Sequence, residues 1–84
     1  MNKLYAFVLH INVPMKTVSF LALLLEEKQV HVDHLKLHRF HNGEALLIVQ
    51  CELLEKEVHE LSVELDQLPE VLKWEKLTLD KLIK

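Results

Sequence analysis

The sequence contains few of the residues that set special chemistry or special backbone geometry. Its 84 residues include one cysteine, one glycine and two prolines, and only 6% are aromatic. The single Cys51 excludes an internal disulfide and favours a reducing compartment. The longest apolar run, residues 20–25, is far shorter than the roughly 20 residues that span a bilayer. No signal-peptide pattern precedes it, so we expect a soluble, cytoplasmic protein with no membrane partner.

An excess of basic charge is also absent. Thirteen acidic and ten basic residues give a net charge of −3, and no basic stripe is present to neutralise a phosphate backbone. We therefore expect no nucleic-acid partner. Half of the residues are apolar and 27% are charged, which is typical of a folded domain. A chain of this size buries only roughly 60 to 65% of its unfolded surface, so a second burial surface would stabilise it.

The first half of the chain predicts a strand followed by an apolar helix. Residues 3–12 are rich in aromatic and branched side chains on both faces, as in a central strand. Pro14 suits the first turn of a helix, because its φ is fixed and it has no N–H to satisfy. This helix would extend to about Gln29. Its sheet-facing stripe would consist of Val18, Leu21, Leu24 and Leu25.

Residues 30–40 alternate in polarity like a second strand, with one interruption. Val30 and Val32 are out of phase with Leu35 and Leu37. One extra residue near Asp33-His34, a β-bulge, would return all four to one face.

The second half of the chain predicts a return strand, a second helix and a final strand. Asn42-Gly43 indicates a hairpin turn, because both residues tolerate positive φ. Residues 45–52 form the return strand, with Cys51 as a small buried residue. Apolar residues then recur at helical spacing up to Pro69, which ends the helix. Residues 70–78 form the last strand.

The order strand, helix, strand, strand, helix, strand predicts an α+β fold, the ferredoxin-like βαββαβ plait. In this fold a four-stranded antiparallel sheet carries both helices on one face. Residues 1–78 would form one domain, and residues 79–84 would form a short, helical tail.

The first helix is more apolar than a single sheet contact requires. Phe20, Ala22 and Leu23 lie outside its sheet-facing stripe, and covering them would contribute several kcal/mol at about 25 cal/mol per Å². A partner subunit is the simplest cover, and these three residues are the candidate dimer interface. Cover by loops or by residues 79–83 of the tail is the alternative.

No pattern indicates a catalytic or metal site. Among the six histidines, His34 and His38 are the pair expected to project together from one strand, but Lys36 between them would oppose a cation. Both serines are predicted on helices and Cys51 lies in an apolar strand, so no nucleophile is expected beside a base. We therefore expect a non-catalytic protein without a metal or cofactor.

Three stretches carry a resemblance to a known family. They read FVLHINVP (7–14), VHVDHLKL (30–37) and LSVELDQLPEVLKW (61–74). With these stretches the chain resembles the ACT domains over residues 3 to about 77, and in particular the short form of the regulatory small subunit of acetohydroxyacid synthase (acetolactate synthase). The resemblance implies a regulatory subunit for branched-chain amino-acid biosynthesis. Its partners would be a second copy of the chain and the thiamine-diphosphate-dependent catalytic subunit.

The resemblance also implies a place for an amino-acid effector. ACT domains pair side by side through first helices and edge strands, and effectors bind at that interface. The matching candidate effector-binding residues are Asn12, Val13, Pro14, Met15 and Lys16 in the loop before the first helix, and His31 and Val32 at the second strand.

Two of these candidate residues depart from the family pattern. Met15 stands where the family often has a glycine, and His31 stands where feedback-inhibited members carry an asparagine. These departures imply weak or absent sensitivity to valine. A free-standing amino-acid sensor and a structural dimerisation module are the alternative functions.

Overall fold

The six elements follow in the predicted order. The computed structural model describes residues 2–79. The elements are β1 (Lys3–Ile11), α1 (Pro14–Glu27), β2 (His31–Arg39), β3 (Ala45–Leu53), α2 (Glu55–Asp66) and β4 (Val71–Thr78). Every bound lies within about two residues of its prediction, the usual uncertainty at element ends. The predicted tail, from residue 80 onward, lies outside the described residues.

The four strands form one antiparallel sheet in the order β2-β3-β1-β4. The two central strands, β1 and β3, have partners on both sides, whereas β2 and β4 are its edges. Residues from α1 and α2 pack into one cluster with the same face of β1 and β3. The predicted ferredoxin-like plait is therefore confirmed.

The core lies between that face of the sheet and the two helices. Every second residue of β1 from Tyr5 to Ile11 is buried, and every second residue of β3 from Ala45 to Leu53 is buried as well. Leu21 and Leu25 of α1 pack on these strands, with Val18 and Leu24 partly buried beside them. The predicted helix stripe is confirmed. Cys51 is fully buried within this core, as predicted.

The opposite face of the sheet, here called the open face, carries no helix among residues 2–79. Partly buried apolar side chains lie along its centre, while the two edge strands present mainly polar and charged groups. The central apolar residues of the open face are Leu4, Ala6, Val8, Leu46 and Ile48.

The predicted bulge in β2 is confirmed. Val32 lies opposite Cys51 and His34 lies opposite Gln50, so Asp33 is the extra residue. After the bulge, Leu35 and Leu37 return to the helix-facing side, opposite Val49 and Leu47. Packing of these apolar side chains against β3 sets the register, because a slip of one residue would turn them to the open face.

The predicted hairpin turn joins β2 to β3, with a geometry that differs from the prediction. Within the turn, Gly43 has positive φ, at 87°, and Asn42 does not. The N–H of Phe40 donates to the carbonyl oxygen of Glu44 at 2.8 Å, which closes a loop of residues 41–43. The Asn42 side chain accepts from the Glu44 N–H at 3.0 Å. Asn42 therefore stabilises the turn through its side chain, and glycine alone supplies the left-handed backbone.

The second helix begins and ends through local contacts. The Glu57 carboxylate accepts the backbone N–H of Leu54 at 2.8 Å, which satisfies one donor before the first turn. At the other end, the Trp74 indole donates to Asp66 at 2.8 Å and ties α2 to β4. Neither helix is long and apolar enough to cross a membrane within the described chain.

Candidate functional site

The loop between β1 and α1 forms the first part of the candidate effector site. Val13 has φ 47° and ψ 62°, in the left-handed region, and Pro14 is the first residue of α1. The buried Thr17 hydroxyl donates towards the carbonyl oxygens of Asn12, at 3.2 Å, and Val13, at 3.1 Å. Thr17 thus holds the loop against the helix. Sequence reasoning missed it, because a lone threonine in an apolar helix gives no distinct signal.

Met15 does not occupy the position of the loop that needs a glycine's freedom. The positive φ falls on Val13, while Met15 lies in the first turn of α1 with its residue 60% exposed. Its side chain therefore lies at the surface of the single chain and leaves the loop accessible.

Val13 is expected to limit the stability of this loop, because a β-branched residue in the left-handed region is strained by about 1 to 2 kcal/mol. Replacing Val13 by glycine removes the strain but adds backbone entropy to the unfolded chain, which costs roughly 0.5 to 1 kcal/mol. We expect Val13→Gly to raise the free energy of unfolding by about 0.5 to 1 kcal/mol, measured by urea denaturation. The Gly43→Ala chain, where the change introduces strain, should lose stability. A lower free energy of unfolding in the Val13→Gly chain than in the wild-type chain would show that the loop is unstrained.

Lys16 connects the loop to the start of β4. Its ammonium lies 3.1 Å from the Glu70 carboxylate, and the Asn12 N–H donates to the Glu70 carbonyl oxygen at 2.9 Å. A hydrogen bond from its own backbone N–H, and then Lys16, hold the pKa of Glu70 below its usual value. A carboxylate ligand at this position would have to compete with Glu70 for Lys16. These groups line a cleft of about 190 Å³ formed by Lys16, Thr17, Phe20, Leu68 and Glu70.

His31 and Val32 lie at the opposite end of the sheet from this loop. His31 pairs with Glu52, and Glu52 pairs with Leu4, near the beginning of β1. The loop begins at Asn12, eight residues further along, which corresponds to roughly 26 Å of strand. One chain therefore brings the residues of positions 12–16 together but keeps His31 and Val32 away from them.

The three candidate interface residues of α1 are exposed but do not form one patch. Phe20 is 42% and Leu23 is 58% exposed, and Ala22 is also exposed. At about 100° per residue, Phe20 and Leu23 lie about 60° apart around the helix, whereas Ala22 lies about 160° from Phe20. Phe20 faces the cleft beside Leu68, on the flank towards α2. Coverage of these residues by a second copy stays a prediction.

The edge of β2 is the more continuous apolar surface. This strand is nine residues long and has no partner on its outer side within residues 2–79. Val32 and Leu35 face the helix side of the sheet, yet they remain 37% and 40% exposed. On the other edge strand, β4, Lys76 occupies a helix-facing position opposite Phe7. An inward-facing charge of this kind discourages strand addition, and β2 carries none between Val32 and Leu37.

The open face carries four histidines, of which His10 and His38 belong to one group and His31 to another. His34 and His38 project from it with Lys36 between them, as predicted. His38 packs edge-on against Phe40, with ring centroids 5.6 Å apart, and His10 contacts the same ring at 5.9 Å. His10 is also bound to the Glu44 carboxylate at 2.6 Å. This end of the open face is a packed aromatic group rather than a set of free ligands.

A second group lies at the other end of the open face. The His31 imidazole is 2.8 Å from the Asp33 carboxylate. One ligand atom each from His31, Asp33 and Glu52 lie within 4.8 Å of one another. Sequence reasoning missed this group, because the cross-strand position of Glu52 depends on the register of β2 and β3.

Two of the three groups considered as nucleophiles, the Cys51 thiol and the Ser62 hydroxyl, are buried or hydrogen-bonded. Burial, with a smaller contribution from the charge of Asp33, raises the pKa of the Cys51 thiol to about 11. The thiol is therefore protonated at neutral pH. Ser62 donates its hydroxyl hydrogen to the carbonyl oxygen of Val58 at 2.8 Å.

Comparison with known proteins identifies the fold and no family. No protein-family model and no curated protein match the chain. One similar solved structure is the C-terminal domain of the MgtC protein from Mycobacterium tuberculosis, with a TM-score of 0.74 and 10% identity. The match covers 93% of this chain and 88% of that domain. A second is TM1266 from Thermotoga maritima, described as uncharacterized, with a TM-score of 0.75 and 14% identity. The match covers 94% of this chain and 99% of that one.

These likenesses show the plait and carry no function at such low identity. Neither structure is described as an ACT domain or as a subunit of a synthase. The resemblance to ACT domains therefore continues to depend on the residues quoted from the sequence.

Proposed function

We propose that this chain is a non-catalytic regulatory subunit that dimerises through the edge of β2 and activates an acetohydroxyacid synthase. The observation that carries the dimer is the apolar edge of β2, which no strand of residues 2–79 pairs with and where Val32 and Leu35 stay partly exposed beside α1. A small domain gains stability by covering such an edge, and strand pairing satisfies its free backbone groups. Two copies joined in this way form one continuous sheet.

A two-fold dimer of this kind would also complete the effector site. In an antiparallel pair of β2 strands, the start of one strand lies beside the end of the other. The end of β2 at Arg39 lies beside Ala45 and Ile11, next to the loop 12–16. His31 and Val32 of one copy would therefore approach the loop of the second copy. This arrangement accounts for candidate residues that a single chain holds at opposite ends of the sheet.

The assignment to acetohydroxyacid synthase is supported by the three stretches that resemble the regulatory subunits. A cytoplasmic location, with the catalytic partner, is part of the same proposal. Since Lys16 is paired with Glu70, and His31 replaces the family's asparagine, the proposal includes weak or absent inhibition by valine.

The proposal is tested by titrating the purified chain into the catalytic subunit from the same genome and measuring acetolactate formation. We expect saturable activation at a fixed ratio of the two chains, and little change in activity when valine is added. A Leu35→Lys chain, which removes the proposed dimer edge, should activate weakly. Absence of activation by the wild-type chain would reject the synthase assignment.

A free-standing amino-acid sensor is the second candidate, favoured by the accessible loop and the cleft beside Lys16. A bound ligand at 100 times its dissociation constant stabilises a fold by about 2.7 kcal/mol. A thermal-shift panel of amino acids would therefore detect such a sensor. A shift in the wild-type chain that is lost in Lys16→Met, without activation of the synthase, would favour this function.

A further inference from the structure

The group formed by His31, Asp33 and Glu52 has the composition of a metal site and lies at the start of β2, at the opposite end of the sheet from the loop 12–16 of the same chain. We propose that these three side chains bind one divalent transition-metal ion, of the zinc, cobalt or nickel type, on the open face of the sheet.

Two rigid strands position the three ligands. His31 on β2 lies directly opposite Glu52 on β3, so both side chains stand on the same face at neighbouring positions. Asp33 follows two residues after His31 and is the extra residue of the bulge. The bulge turns Asp33 towards the first two ligands, because the regular alternation resumes only at His34. Bulges often re-aim a side chain next to functional sites.

The spacing of the donor atoms suits one ion. One ligand atom from each residue lies within 4.8 Å of the other two. Ligands at about 2.0 to 2.2 Å from a common ion are about 3 to 4 Å apart. Small side-chain rotations would therefore bring all three groups to coordination distance. The remaining positions would be filled by water, since His31 and Asp33 are exposed to solvent.

The charges of the group are unbalanced without a cation. The carboxylates of Asp33 and Glu52 lie close together, and His31 is the only basic group among residues 2–79 that is paired with either. Within residues 2–79, the half-buried Glu52 carboxylate makes no hydrogen bond or ion pair of its own. A divalent ion would offset the repulsion between the two carboxylates and would give Glu52 a partner.

The donor set selects among ions. One imidazole nitrogen with two carboxylate oxygens suits zinc and its neighbours in the first transition row, whereas magnesium and calcium prefer oxygen ligands alone. The site differs from the pair His34 and His38, whose neighbour Lys36 opposes a cation. Lys36 lies further along β2, opposite Ile48.

The test is isothermal titration calorimetry of the full chain with zinc chloride. We expect one ion per chain, and an affinity at least about tenfold lower in each of Asp33→Asn and Glu52→Gln. Even the outer-shell partners of metal ligands contribute roughly 10- to 100-fold to affinity. Both substitutions preserve side-chain shape at positions that are not fully buried, so the fold should be retained.

Two control variants carry the same residue types outside the group. His59→Gln on α2 and Glu75→Gln on the open face of β4 should bind zinc like the wild-type chain. In NMR spectra, cobalt should broaden the amide signals of residues 31–34 and 51–53 first. Absence of zinc binding would overturn the proposal, as would equal binding by the wild-type chain and both carboxylate variants. The assay needs no synthase, so its outcome is independent of the proposed regulatory function.

Discussion

The Leu35→Lys chain is expected to be a monomer at concentrations where the wild-type chain is a dimer. Leu35 is 40% exposed on the helix-facing side of β2, the strand that we propose to pair with a second copy. Each dimer would lose two apolar contacts and would bury two charges. The introduced lysine would face the helix side of an edge strand, like Lys76 on β4, and would disfavour pairing there. Burial of a leucine contributes about 1.5 to 3 kcal/mol, so the dimer dissociation constant should rise at least about a hundredfold. Analytical ultracentrifugation across a range of concentrations measures this change.

The matched control is Leu77→Lys on β4. Leu77 is 52% exposed and lies on the open face of the other edge strand, so its replacement should leave the dimer intact. Circular dichroism should show that both variants remain folded, since both side chains are already partly in water. A Leu35→Lys chain that still forms the wild-type dimer would exclude the β2 edge. Dissociation by Leu77→Lys instead would place the interface on β4 or on the open face.

Truncation of Phe7 to alanine is expected to have the largest effect on stability. Phe7 is 2% exposed in the centre of β1, and its ring lies 6.1 Å from that of Trp74. Removal of a buried phenylalanine ring costs about 3 to 5 kcal/mol through lost burial and the cavity left behind. A domain of this size is stable by about 4 to 13 kcal/mol in total. Much of the folded population should therefore be lost, which urea denaturation at a fixed protein concentration would show.

Phe40→Ala provides the comparison for the same substitution outside the core. Phe40 is 40% exposed. Within residues 2–79, the rings that it contacts are those of His10 and His38, both in edge-to-face geometry. We expect it to cost less than about 1 kcal/mol. A similar decrease in the free energy of unfolding for Phe7→Ala and Phe40→Ala would show that Phe7 is not a central residue of the core.

The local elements were predictable because each has a signal within a few residues. The phase change between Val32 and Leu35 predicted the bulge, which the register confirms at Asp33. The sequence also predicted the Asn42-Gly43 turn, but not that only glycine would take positive φ. Side-chain contacts of Asn42 with the Glu44 backbone made the difference.

The backbone of the first loop could not be predicted from residue preferences. Propensity assigns positive φ to glycine, yet Val13 takes it here. Val13 is fixed between the end of β1 and Pro14. The Thr17 hydroxyl also donates towards the carbonyl oxygens of Asn12 and Val13. Tertiary constraint thus overrides a local preference of about 1 to 2 kcal/mol.

The sequence by itself determined the order of elements, the apolar faces and the excess of apolar residues on α1. Periods of two and 3.6 residues encode these features between near neighbours. Only the tertiary structure decided which distant residues meet. It paired His31 with Glu52, separated His31 from the loop at Asn12, and placed Phe20 beside Leu68. Such contacts depend on strand register and helix rotation, which the packing of the whole core sets and no local pattern records.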